Sequence, residues 1–433
     1  MATADAERAR AERAALDVLA ERRGYFESLL AELVAINSFT GNPEGCDRVA
    51  RRLKVELEAL GLAVELCPSE SPSPHGTALW DRPPSPLSTE GAAPPPTDAT
   101  PETTYGLHLL AQTVAALRPG TTPLLLVGHH DTVFAPGTFD GYRSDATYGY
   151  GPGVLDMKGG LVVILAALDG LHRTGALGGC ALRFLSVSDE EVGSPSSRGV
   201  LARAARGASA ALVFESGRAH DAIVTQRKGA ASLRVAFGGR AAHAGNDFEQ
   251  GASAVWALAR FVDAAQSLTD LALGSTVNVG RVEGGEVKNT VPARAEALVD
   301  VRFTHGAAAG ALLDRLERAA RAAASSVAGV SVHLVCDSQR PPLERTAASA
   351  ALVARYGACQ RQAGLGDGEA PLQGGGSDAN LLGAMGLATI DGLGPRGRGL
   401  HTRDEQIERA TLLQKSDALV RFLLRHGQSG YSP

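Results

Sequence analysis

The stretch LLLVGHHDTV, residues 124–133, decides the fold. Its first four residues form an unbroken apolar run, the mark of a strand buried on both faces of a parallel sheet. Polar residues follow at once, in His129, His130 and Asp131. Two later stretches repeat this order: LRFLSV (182–187) runs into SDEE (188–191), and AALVF (210–214) runs into Glu215 and Ser216. In open α/β sheets, sites form outside the carboxyl ends of the strands. The three runs therefore predict one sheet with its chemistry gathered along one end. Between the first two runs, 159–171 is apolar nearly all round, which predicts a buried helix.

Upstream, 25–36 and 46–60 carry apolar residues at helical spacing, and Gly61 is placed to cap the second helix. A short strand is expected at 63–67. Residues 68–103 are dense in Pro, Ser, Thr and Gly, the composition of a loose surface insertion without a catalytic role. Downstream the pattern changes near Gly229. Strands are expected at 231–237, 276–282 and 295–303, with helices at 252–267 and 307–328, the β-α-β-β-α-β order of a ferredoxin-like module. Trp256 and Phe261 in the first of these helices are read as core. After Pro341 the α/β style returns and ends in a helix at 407–425.

The expected architecture is thus α/β: a mixed, mainly parallel sheet flanked by helices, with an inserted ferredoxin-like α+β module. Residues 1–228 and 340–433 would form the catalytic domain, and 229–339 a lid or dimerisation domain.

Composition narrows the function. The chain has 433 residues, 44% of them apolar and 21% charged, with a net charge of −5. These values fit a soluble globular protein of two domains and argue against nucleic acid or an anionic membrane as partner. The first thirty residues lack the apolar core of a secretory signal, and no apolar run is long enough to span a bilayer. Cys46, Cys67, Cys180, Cys336 and Cys359 are scattered without CxxC spacing. That favours a reducing cytoplasm over a disulfide framework or a thiolate metal site.

His129, Asp156, Glu191, Glu215 and His401 supply imidazole and carboxylate at strand ends. Such a donor set without sulfur suits Zn²⁺, Co²⁺ or Mn²⁺, and two ions need a bridging carboxylate. Each residue also has a plainer reading. Asp156 could cap the helix that begins at Gly159. Glu191, beside Asp189 and Glu190, could be solvated loop charge, and each histidine a core or surface residue. Arg302 could form an ion pair with Asp300. GGGSDAN (374–380) lacks the GxxxxGK(S/T) and GxGxxG spacings of phosphate loops.

Nine stretches in order weigh against those plainer readings: GHHDTV (128–133), GPGVLDMKGG (151–160), SDEEVGSPSS (188–197), FESGR (214–218), GRAAHAG (239–245), NTVP (289–292), DVR (300–302), GGGSDAN (374–380) and GLHTRDE (399–405). Together they closely resemble the metallopeptidase family of glutamate carboxypeptidase, acetylornithine deacetylase, succinyl-diaminopimelate desuccinylase and aminoacylase.

The resemblance implies two zinc ions, with Co²⁺ or Mn²⁺ as substitutes. Asp156 would bridge them, His129 and Glu215 would complete one site, and Glu191 and His401 the other. Asp131 would orient the His129 imidazole, and Glu190 would stand free as general base. His243 would reach the active site of a partner subunit in a homodimer and stabilise the oxyanion. Asn289 and Arg302 would hold the substrate carbonyl and free carboxylate, and the backbone at Gly375 and Gly376 would contact substrate. INSFTGNPEG (36–45), HAGNDFEQGASA (243–254) and GLGPRGRGLHTRDE (392–405) look most like the carboxypeptidase branch. The expected reaction is release of a C-terminal amino acid from a peptide or N-acyl amino acid. An N-acyl amino acid deacylase is the alternative with the same metal centre. A non-catalytic binding relative predicts an eroded ligand set, whereas all five ligands, Glu190 and Asp131 are present. A nucleotide-binding α/β protein lacks its phosphate motif.

Overall fold

The structure, a computed structural model, describes residues 2–70, 87–88 and 104–426. The expectation of a surface insertion at 68–103 falls almost wholly outside these residues.

In chain order the first strands are β1 (Ala63–Cys67), β2 (His108–Gln112), β3 (Leu124–His129), β4 (Leu182–Val187) and β5 (Ala210–Val213). The strands β6 (Gly229–Gly238), β7 (Thr276–Gly284), β8 (Arg294–Phe303) and β9 (Ser331–Arg340) follow, and then β10 (Thr389–Ile390). The larger sheet has the order β1-β2-β4-β3-β5-β10. Its pairings are antiparallel for β1–β2 and β2–β4, and parallel for β4–β3, β3–β5 and β5–β10.

Alternation along β3 explains why its sequence is continuously apolar. Leu124 and Leu126 enter one core, with the helices Gly159–Arg173 and Arg409–His426. Leu125 and Val127 enter another, with Val200, Leu201, Leu381 and Leu382 of the helices on the opposite face. Successive side chains of a strand point to opposite faces, so a strand with helices on both sides has no position free for a polar residue. The helix Gly159–Arg173 is buried at every residue from Gly159 to Leu171. The helix preceding β1 ends as expected, with Gly61 at φ +78° just beyond its last residues.

One element was not expected. Ala2–Glu21 forms a helix whose Ala15 and Leu19 are buried in the first core. It crosses the Gly159–Arg173 helix at Gly170, where an added Cβ would lie 3.1 Å from the Ala15 carbonyl.

The second sheet runs β7-β8-β6-β9, all antiparallel, with the pair Leu87–Ser88 on its β9 edge. Two helices, Ala254–Gln266 and Gly306–Ser325, complete the β-α-β-β-α-β order. Their apolar faces close a separate core containing Phe237, Phe261, Phe303 and Leu316. Trp256, read as core in the sequence, is 53% exposed, whereas Phe261 is fully buried. A third, small antiparallel sheet joins Tyr148–Tyr150 to Gln406–Glu408. It brings the segment after Gly399 against the loop that precedes the Gly159 helix.

Candidate metal centre

Parallel pairing puts the carboxyl ends of β3, β4 and β5 side by side: His129 aligns with Val187, and Val127 with Val213. His129 ends β3 itself, Glu190 and Glu191 lie in the turn after β4, and Glu215 follows β5. Asp156 and His401 arrive on the two loops joined by the small sheet.

Asp156 is the centre of the cluster. One of its oxygens, Oδ1, lies 3.2 Å from His129 Nε2, and the other, Oδ2, lies 3.2 Å from His401 Nε2. Glu215 Oε1 stands 3.6 Å from His129 Nε2, and Glu191 Oε2 stands 3.4 Å from His401 Nε2. The five expected ligands therefore form two sets that share one carboxylate. Donor atoms of His129, Asp156 and Glu191 lie within 4.8 Å of one another, as do those of His129, Glu190 and Glu215.

Electrostatics show what such a cluster favours. Burial pushes Glu191 up to about 8, with Asp156 and Glu190 adding to the rise and His401 opposing it. Burial and the neighbouring Asp156 raise Glu215 well above the usual carboxylate range. Against its own burial, Asp156 is held low by hydrogen bonds from His129 and His401. Glu191 Oε1 is buried without a hydrogen-bond partner. Carboxylates crowded this way cost free energy unless a cation neutralises them. An orphaned oxygen, two imidazole nitrogens each facing two carboxylates and a central two-sided carboxylate fit a pair of divalent ions.

Asp131 does more than orient one ring. Its Oδ1 lies 3.3 Å from His129 Nδ1 and accepts the Glu190 amide at 3.2 Å. Its Oδ2 accepts the Glu191 amide at 3.2 Å and the Thr40 hydroxyl at 2.8 Å. One fully buried carboxylate thus fixes the His129 imidazole and the backbone of both turn glutamates. Glu190 is held from the other side: Arg340 Nη1 donates to Glu190 Oε1 at 2.6 Å, and Nη2 donates to its carbonyl at 3.1 Å.

Of the residues expected in the inserted module, His243 and Asn289 lie together, and Arg302 lies at the other end of β8. His243 is exposed, and its Nδ1 accepts the amides of Gly245 (3.2 Å) and Asn246 (3.0 Å). Asn289 joins it through its carbonyl, which accepts the Ala244 amide at 2.9 Å. Arg302 grips Asp300 through two bonds, at 2.9 and 2.8 Å, the ion pair that the sequence left open. Gly375 offers its carbonyl to Arg227 Nη1 at 3.1 Å. A Cβ on Gly376 would lie 2.5 Å from Arg340 Cδ, so only glycine leaves that guanidinium in place.

Three residues were missed in the sequence. Arg340 stands before two prolines with no neighbouring signal of its contact with Glu190. Glu405, four residues after His401, is fully buried and accepts the amides of Leu155 (2.8 Å), Asp156 (3.0 Å) and Gly153 (3.3 Å). Arg218 closes the FESGR stretch and had no role assigned.

Comparison with known proteins agrees with this geometry. Residues 125–425 match the profile of Peptidase family M20/M25/M40. Carboxypeptidase G2 of Pseudomonas sp. (strain RS-16) is 28% identical over 377 residues, spanning 86% of this chain and 82% of that protein. The structure of an aminopeptidase from Bacillus cereus superposes with a TM-score of 0.71 at 20% identity, over 93% of this chain and 98% of that one. An M20 family metallo-carboxypeptidase from Sulfolobus solfataricus gives 0.65 at 17% identity, over 93% and 99%. Since the match begins inside β3, ends in the last helix and takes in every residue of the cluster, the chain belongs to Peptidase family M20/M25/M40 and is a metal-dependent hydrolase.

Proposed function

We propose that the protein cleaves an amide bond beside a free carboxylate, releasing the C-terminal amino acid of a peptide or N-acyl amino acid. The observation that carries this reading is the arrangement around Asp156, with one oxygen on each histidine and Glu190 alongside in the grip of Arg340. Zn²⁺ is the preferred ion, with His129, Asp156 and Glu215 holding one and Asp156, Glu191 and His401 the other. When bound, such ions acidify water and polarise the amide carbonyl.

The chain's own groups supply the remainder. Glu190 takes the proton from the attacking water and returns it to the leaving nitrogen, one carboxylate serving both steps. Arg340 fixes its orientation. His243, whose Nδ1 already accepts two amides, carries its proton on Nε2 and is a donor for the oxyanion. It acts with Asn289 on a neighbouring copy's substrate, in a homodimer built through the inserted module. Arg302 would grip the free carboxylate after leaving Asp300, and the Gly375–Gly376 backbone would flank the substrate. All five cysteines are free thiols, which supports a cytoplasmic setting.

The resemblance to carboxypeptidase G2 favours peptide or acyl-amino acid release over deacylation of acetyl or succinyl substrates. The test is hydrolysis of a folate-type acyl-glutamate, N-acetylornithine, N-succinyl-diaminopimelate and simple dipeptides by metal-loaded protein, with and without chelator. Chelator-sensitive release from the acyl-glutamate or dipeptides is the expected result. Turnover confined to the acetyl or succinyl substrates makes it a deacylase instead.

A further inference from the structure

Three guanidinium groups flank the metal centre, and two of them already have carboxylates. Arg340 holds Glu190 at 2.6 Å, and Arg227 holds Asp391 at 2.7 Å. Arg218 has none: it makes no ion pair among the described residues, and its Nε is buried without an acceptor. Its position is fixed by its surroundings. The segment leaving β5 is zipped to the 391–396 loop, with Gly394 donating to the Glu215 carbonyl at 2.8 Å and Gly217 to the Pro395 carbonyl at 2.9 Å. Arg218 Cγ lies 3.7 Å from where a Cβ would stand on Gly392, a residue at φ +75°, where side chains are strained. The arginine side chain therefore packs against the 391–396 loop, which is bonded to the segment that carries Glu215.

An unpaired, half-buried guanidinium is costly, and an arriving anion returns that cost. The negative charges in reach of Arg218 are Asp391, Glu215 and Asp156. Asp391 is committed to Arg227 and to the Ser377 hydroxyl at 2.7 Å. Glu215 and Asp156 belong to the ligand set, so cations that neutralise them leave Arg218 without a counter-charge. The planar fork of arginine matches a carboxylate bidentately, which a lysine in the same place does not.

We propose that Arg218 forms a subsite for a second carboxylate on the substrate, distinct from the one beside the scissile amide. This rests on the amide-hydrolase reading above. The substrate class is then dianionic: either the released amino acid has an acidic side chain, or the acyl group ends in a carboxylate.

The test pairs isosteres with metal-loaded wild type, Arg218→Gln and Arg218→Lys. One arm compares an N-acyl-glutamate with the N-acyl-glutamine, and the other N-succinyl-alanine with N-butyryl-alanine. Wild type should prefer the acidic member of one pair, and that arm identifies which end of the substrate carries the charge. In Arg218→Gln the acidic-to-neutral ratio of kcat/KM should fall by about 10–100-fold, with Arg218→Lys between the two. An unchanged ratio in both arms overturns the proposal while leaving the hydrolase reading intact. Calorimetric titration with glutarate and butyrate covers the opposite case. Should no amide be cleaved, tighter binding of glutarate by wild type, lost in Arg218→Gln, still supports the subsite. Equal affinity for the two acids refutes it.

Discussion

Asp378 lies behind Arg340, fully enclosed, with the Ser194 hydroxyl donating to Oδ1 and Oδ2 left without a partner. Burial, with Glu190 adding to it and Arg340 opposing, pushes this carboxyl up to about 7. A raised carboxyl binds its proton more tightly in the folded chain than in the unfolded one, whose value is near 3.9. Its contribution to stability is therefore full below about pH 4 and is lost as pH rises through about 7, on the order of 1–3 kcal/mol. Asp378→Asn keeps the acceptor for Ser194 and removes the titration. Urea unfolding between pH 4 and 8 should show a flatter decline for the variant than for wild type, and parallel curves would place the pH dependence elsewhere. Glu190 supports a separate expectation, because its carboxylate bonds to Arg340 and not to a histidine. Glu190→Gln should bind both ions while turnover falls by ~10²–10⁴-fold, read from metal content and kcat together. Loss of the metals with the activity would instead make Glu190 a ligand.

Between single residues and the sheet stand the loops that carry Asp156 and His401, and Glu405 ties the two together. It follows His401 on one loop and accepts three amides of the other, including that of Asp156. The two shorter bonds go to the same oxygen, Oε1, so Glu405→Gln can keep them, whereas Glu405→Ala loses all three. Chelator competition should show metal affinity within a few-fold of wild type for Gln and weaker by about 10–100-fold for Ala. If Ala binds as tightly as wild type, the Asp156 loop holds its own shape. The same contrast explains which parts of the molecule were legible in the sequence. His129, Glu190, Glu191 and Glu215 announced themselves because each follows an apolar run whose period and length specify a buried strand. Asp156 and His401 were also expected at strand ends, but they lie on loops, and only the family resemblance gave them their separate roles. Glu405, Arg340 and Arg218 were unreadable for a common reason: each acts on a segment 150 to 252 residues away or on no protein group among the described residues, and no local pattern records such contacts. The helix Ala2–Glu21 escaped because its buried Ala15 and Leu19 are sparse among charged residues, so partner helices supply what its own periodicity does not.

At the scale of the whole molecule, the inserted module has an open side. Among the described residues β7 pairs only with β8, which leaves it an edge; Val282 within it and Val287 after it are exposed, as is Trp256 on the adjoining helix. An edge strand with apolar residues is a template for pairing with another chain. A second copy joined there with two-fold symmetry would continue the sheet across the interface. His243 and Asn289 lie on this same module and, among the described residues, make no bond to the five candidate ligands of their own chain. If each His243 serves the other subunit, two inactive variants should complement one another. In a hybrid of Glu190→Gln with His243→Ala, one of the two sites keeps both an intact Glu190 and an intact His243, and the other loses both. Random mixing of equal amounts should therefore restore about a quarter of wild-type activity, because half the dimers are hybrids with one sound site each. If His243 acts within its own chain, every site in the mixture retains a defect and activity stays at the mean of the two parents. Measured after reassembly from mild denaturant, with the dimer fraction read by sedimentation, the experiment separates service to the partner from service at home, and a complementing but monomeric sample would contradict the dimer itself.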